Sequence, residues 1–208
     1  MKLILTSKGL CNRKIEIAFI ELLNKRINSV SVCIIPTAAK ELKAEHPRII
    51  EAKAIFTKLG VKKVDLLDIE VDRVEKLITY DVIYIGGGDP VHLLDVLRRT
   101  GADSIFTKLV EKEITIIGVS AGSLVLGPHL NIVEYFTPSL VTDKKFDLKS
   151  LGLFDFPIMP HADREDIFRC DEPIENELSR YEIKYGESVI RIKDENALMI
   201  DNKKIRMI

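Results

Sequence analysis

The 208-residue sequence holds only three cysteines, Cys11, Cys33 and Cys170, far apart and with no CxxC step. That excludes a disulfide framework and a cysteine-based zinc site, and it fits reduced thiols in a cytoplasmic protein. A surplus of positive charge is lacking as well. Lysine and arginine number 31 against 32 aspartates and glutamates, for a formal net charge of -1. Neutralising phosphates takes a cationic excess, so neither nucleic acid nor an anionic membrane is expected as a partner. The longest apolar stretch, residues 114–127, is broken by Gly118, Ser120, Gly122 and Ser123. It falls short of the roughly 20 residues that a membrane span needs. Near the start, only Leu3-Ile4-Leu5 stands between Lys2 and Thr6, too little for the apolar core of a secretory signal. A soluble, cytoplasmic protein is expected. Internal repeats, low-complexity tracts and Pro/Gly/Ser-rich linkers are also missing.

What is present is a globular mixture, 46% hydrophobic and 30% charged, enough for a substantial buried core. Short β-branched runs alternate with stretches of helical period, the pattern of a mostly parallel sheet covered by helices. Strands are expected at 2–6, 31–35, 63–67, 81–85 and 115–119, with helices at 14–26, 47–59, 73–79, 91–98 and 103–111. Residues 128–156 lose this regularity and read as a long, loop-rich connection. A strand at 156–159, a helix at 173–181 and strands at 188–192, 197–200 and 204–207 follow. The whole, residues 1–208, reads as one α/β domain.

Two glycine-bearing turns follow strands, where open α/β sheets place ligands. Gly118-Val119-Ser120-Ala121-Gly122 matches G-x-S-x-G between an apolar strand and a helical run. In such an elbow the serine occupies a cramped strand-to-helix turn and projects its hydroxyl into the cleft. Gly86-Gly87-Gly88 follows the strand at 81–85 and exposes unhindered amides suited to an oxyanion. It matches neither the dinucleotide fingerprint nor a Walker A loop. Asp89 and Pro90 suit the start of the next helix.

A serine nucleophile needs a base. Of the four histidines, His46 and His92 read as surface residues and His129 as a secondary candidate. His161, just beyond an expected strand, is the strongest. The acid that would orient it is less determined. Asp194, in the charged turn Lys193-Asp194-Glu195-Asn196, competes with Glu134, Asp143, Asp147 and Asp155, which lie between serine and histidine in the chain.

Together, Gly86-Gly87-Gly88, the Ser120 elbow, Met159-Pro160-His161 and the late acidic turn resemble the dipeptidase E (aspartyl dipeptidase) and cyanophycinase family of serine peptidases. The resemblance implies a class I glutamine-amidotransferase-like, flavodoxin-like fold, a three-layer αβα arrangement with a mostly parallel central sheet. It implies Ser120 as nucleophile, His161 as general base and Asp194 as orienting acid, with Glu195 as the alternative acid. The backbone amides of Gly88 and Ala121 would form the oxyanion hole. No metal or organic cofactor is implied. The expected partner is a small peptide substrate.

A substrate with an N-terminal aspartate would need a cation, for which Arg164 and Arg169 are the candidates. Asp89 and Asp163 are expected near the cleft and would oppose an acidic side chain. The leading expectation is a serine exopeptidase acting on dipeptides or short peptides. The alternatives are a serine esterase or amidase with a different acid, and a non-catalytic small-molecule binder on the same fold.

Overall fold

The computed structural model describes residues 1–168, 172–202 and 204–208. Runs of Ile, Val and Leu form five parallel strands, β1 (Lys2–Thr6), β2 (Ser31–Ile35), β3 (Lys63–Leu66), β4 (Val82–Ile85) and β5 (Thr115–Val119). All but the edge strand β3 are almost wholly buried, as a sheet covered on both faces demands. A separate parallel pair, β6 (Ile158–Pro160) and β7 (Ile190–Ile192), forms a two-stranded sheet. Antiparallel β8 (Ala197–Asp201) and β9 (Lys204–Met207) extend the main sheet, whose order is β3-β2-β4-β5-β1-β8-β9.

Alternating side chains divide between two cores. Ile4, Val32, Tyr84 and Ile117 face α1 (Arg13–Leu22) and α2 (Pro47–Lys58), whose Phe19 and Phe56 pack edge to face. Leu3, Leu5, Ile83 and Ile116 face the opposite core, with α3 (Pro90–Thr100), α4 (Ala102–Glu111) and the short α5 (Ala121–Leu126). To that core α6 (Asn131–Phe136) and α7 (Ile174–Tyr185) also contribute. The result is the three-layer αβα arrangement around a mostly parallel sheet.

Helix boundaries follow local chemistry. The Asn12 side chain caps α1, and Asp89 Oδ1 accepts from the Val91 and His92 amides at the start of α3, both at 2.9 Å. Gly101 and Gly186, both at positive φ, end α3 and α7. Helix α1 stops at Leu22 rather than Arg26, because Lys2 Nζ donates to the Leu22 carbonyl at 2.7 Å and the chain turns extended at Leu23.

Two further expectations are corrected. Residues 73–79 form a 3-10 turn, Val74–Thr79, instead of an α-helix, because Val74 and Leu77, three apart, must share its buried face. Residues 128–156 are not uniformly irregular: they contain α6 and a 3-10 turn at Pro138–Leu140. Backbone bonds from Ser150 to Pro128, Leu151 to Val125 and Leu153 to Leu126 tie this connection to the end of α5.

Candidate active site

Ser120 stands between β5 and α5 with φ 48° and ψ -109°, a region that non-glycine residues avoid at a cost of roughly 1–3 kcal/mol. Its amide donates to the Thr6 carbonyl at 2.8 Å, and its own carbonyl accepts from Ser123 and Leu124. The turn is thereby locked to β1. Buried Ser123 adds to the lock, its Oγ donating to the Thr6 carbonyl and accepting from the Thr6 amide. Gly122 permits the closeness, since a Cβ there would lie 2.3 Å from the Ile85 carbonyl oxygen.

His161 follows β6 and also has positive φ, 60°. Its amide donates to Ser7 Oγ at 2.9 Å, and that hydroxyl donates to the Ile192 carbonyl. Buried Ser7, at the end of β1, thus ties the main sheet to both β6 and β7. The imidazole lies between Ser120 and Asp194: Nε2 is 3.1 Å from Ser120 Oγ, and Nδ1 is 2.6 Å from Asp194 Oδ1. With the Nδ1 proton facing the carboxylate, Nε2 is left to accept from the serine hydroxyl.

Asp194 is 5% exposed in the turn after β7. Burial alone would push its pKa up. Arg164 Nη1, donating to Oδ2 at 2.9 Å, and the His161 bond outweigh that, with Lys8 Nζ 3.4 Å from Oδ2, and hold the carboxyl below its usual range. Asp163 Oδ1 accepts from the Asp194 amide at 2.9 Å and fixes the turn. A hydroxyl, an imidazole and a carboxylate in this relay can activate the hydroxyl for attack on a carbonyl and return the proton to a leaving group.

The other sequence candidates sit elsewhere. Glu195 is turned outward, with its side chain 67% exposed and near Asn12 and Lys8. Among the described residues the His161 ring bonds only Ser120 and Asp194, so none of Glu134, Asp143, Asp147 and Asp155 takes the acid's place. His129 pairs with Glu187 at 3.1 Å. Burial lowers the pKa of His92, which lies by Glu70. Arg164 lines the cleft, but its guanidinium is engaged by Asp166 and Asp194. Arg169, the second candidate cation, lies outside the described residues.

Asp89 and Asp163 do not oppose an anion in the cleft as expected. Asp89 caps α3 and pairs with Lys40 at 2.6 Å, and Asp163 is bonded to the Asp194 amide. Sequence reading missed Ser7 and Lys8, whose roles depend on contacts more than 150 residues away. His46, read as a surface residue, caps α2 and lines the cleft.

Two hollows meet at Ser120 and His161. One, of about 280 Å³, is lined by the Gly86–Gly88 turn and by Lys8, His46, Arg48 and Arg164. The other, of about 180 Å³, is walled by Leu124, Val133, Phe136, Leu140, Met159 and Phe168. Gly88 borders both, and Ala121 borders the second. Gly88 has φ 144°, and a Cβ there would come within 2.1 Å of the Ala38 carbonyl oxygen, so the turn must be glycine at this point. Among the described residues, no group of three or more His, Cys, Asp or Glu side chains is arranged to hold a metal ion, and no helix is long and apolar enough to cross a membrane.

The chain is similar to known proteins. The chain is 28% identical over 138 residues to an uncharacterized peptidase of Pasteurella multocida (strain Pm70), a match covering 65% of this chain and 66% of that protein. It is 25% identical over 187 residues to an uncharacterized peptidase of Listeria monocytogenes EGD-e, covering 84% of each. The crystal structure of a candidate peptidase E protein from the same Listeria strain superposes with a TM-score of 0.80 at 24% identity. That likeness in fold takes in 100% of this chain and 97% of the other. The model of peptidase family S51 matches residues 3–208, elbow, histidine and acidic turn included, and the chain is therefore a member of that family.

Proposed function

We propose that this protein is a serine exopeptidase that hydrolyses dipeptides or other short peptides, with Ser120 as nucleophile, His161 as general base and Asp194 as the acid that orients it. The observation that carries this reading is the continuous relay from Ser120 Oγ through the imidazole to the buried Asp194 carboxylate. Membership of a peptidase family supports the reaction class.

Ser120 Oγ attacks the scissile carbonyl carbon while its proton passes to His161 Nε2. The Asp194 carboxylate stabilises the imidazolium. The tetrahedral oxyanion is held by the amides of Gly88 and Ala121, the latter in the first turn of α5 where amides lack an intrahelical acceptor. Collapse breaks the C–N bond, and the imidazolium gives its proton to the departing amine. Water then attacks the Ser120 ester with His161 again as base, releasing the acid and restoring the hydroxyl. Small-molecule sites usually occupy roughly 300–1,000 Å³, so the two hollows suit a substrate of a few residues.

The test combines hydrolysis of a dipeptide panel with labelling by a fluorophosphonate probe, each on the wild type and on Ser120→Ala. Hydrolysis and labelling that both vanish in the variant are expected. Peptide hydrolysis that survives Ser120→Ala in pure protein would overturn the assignment.

A further inference from the structure

The two hollows differ in chemistry, although they share Ser120, His161 and Gly88. Lys8, His46, Arg48 and Arg164 project a basic lining into the larger one, and among the described residues no aspartate or glutamate borders it. The negative partners of these cations lie outside the lining. Arg48 bonds Glu51, with both side chains more than half exposed, Lys8 meets Asp194 and Glu195, and Arg164 meets Asp194 and Asp166. His46 Nδ1 accepts from the Arg48 amide, which leaves the ring proton on Nε2 as a donor. The smaller hollow is walled by aliphatic and aromatic side chains, and among the described residues none of its lining is charged apart from His161 in its protonated form.

A dipeptide carries its two charges on opposite sides of the scissile bond. The ammonium belongs to the acyl residue and the carboxylate to the leaving residue. A basic hollow attracts the carboxylate and repels the ammonium. The leaving residue therefore lies in the basic hollow, and the acyl residue lies across Ser120 in the apolar one. We propose that, given the serine peptidase reading above, the substrates are short peptides whose C-terminal carboxylate is bound in the basic hollow by His46 and Arg48 and whose residue on the acyl side is apolar. This differs from a preference for N-terminal aspartate, since among the described residues no lysine or arginine lines the apolar hollow to select a side-chain carboxylate.

The experiment compares kcat/KM of the purified full chain for Leu-Ala, Leu-alaninamide and Asp-Ala. Leu-Ala is expected to exceed both others by about tenfold or more, the worth of one charge-assisted hydrogen bond or one misplaced charge. Arg48→Glu is expected to raise KM for Leu-Ala by about tenfold and to narrow the gap between Leu-Ala and its amide. Leu140→Arg, which places a cation in the apolar hollow, is expected to lower kcat/KM for Leu-Ala and raise it for Asp-Ala.

Ser120-dependent hydrolysis that favours Asp-Ala, or that treats the amide like the free acid, would overturn the division of the site and leave the serine peptidase reading in place. Hydrolysis of none of the three would overturn the division too. Fluorophosphonate labelling of Ser120 then shows whether the serine peptidase reading falls with it.

Discussion

Ser120 and His161 reach the same point from two differently built regions. The serine side is made by the main sheet: β5 delivers the residue, β1 anchors its amide, and α5 leaves immediately after it. Everything that shapes the turn is local in sequence or lies on an adjacent strand. The histidine side is made by the two-stranded sheet of β6 and β7, whose strands are only three residues each. There His161 and Asp194 are held by side chains from distant parts of the chain, with Ser7 on the His161 amide and Arg164 and Lys8 on the Asp194 carboxylate. The serine geometry is thus a property of backbone close packing, while the histidine geometry is a property of a polar network joined to the main sheet through Ser7.

The sharpest way to break the comparison is to remove the reacting members of the two sides in turn. Ser120→Ala and His161→Ala should each lower kcat by about 10⁶-fold, and Asp194→Asn by about 10⁴-fold, because the acid only orients and supports the base. Single-turnover kinetics on a dipeptide would check the ranking. Equal losses for all three would mean that the carboxylate does more than orient.

A smaller effect separates packing from polar support. Gly122→Ala forces a methyl group against the Ile85 carbonyl and should destabilise the fold by about 1–3 kcal/mol. Ser7→Ala leaves the His161 amide and the Ile192 carbonyl without their shared partner, and should cost about 1–3 kcal/mol. Urea midpoints measure both. The distinction is in kcat of the folded proteins: Ser7→Ala should lower it at unchanged KM by letting the imidazole drift. If Ser7→Ala loses stability alone, the two regions are less dependent on that bridge than the geometry implies.

The smallest effect concerns pH. The Asp194 pKa is lowered in the fold from its ordinary 3.8, so the native state favours the ionised form. That contribution is complete above the unfolded value and fades as pH falls through the lower folded value. The stability difference between wild type and Asp194→Asn should therefore be constant above about pH 5 and change only below about pH 4. Thermal melts across that range check it. A difference that changes near neutral pH would point to another titrating group.

Much of this architecture was legible in the sequence. The ends of β1, β2 and β5 coincide with the apolar runs, because a strand buried on both faces must be a continuous hydrophobic segment. The serine turn was legible because close backbone approach admits little besides glycine on either side of it. His161 and Asp194 stand within hydrogen-bonding distance of the partners expected for them, although the sequence left Asp194 in competition with four other acids. The 3-10 turn at Val74–Thr79 and helix α6 were not legible, since a few apolar residues at short spacing fit several local structures until a neighbouring surface selects one.

The sequence by itself determined which segments are buried and where the chain must turn sharply, since hydrophobic period and glycine placement act over a few residues. Only the tertiary structure decided that Asp194 and not Glu195 faces His161, that Lys8 and Arg164 brace it, and that one hollow beside Ser120 is basic and the other apolar. Those outcomes depend on contacts between residues dozens to nearly two hundred positions apart, and such distances are set by how the sheet brings the chain together.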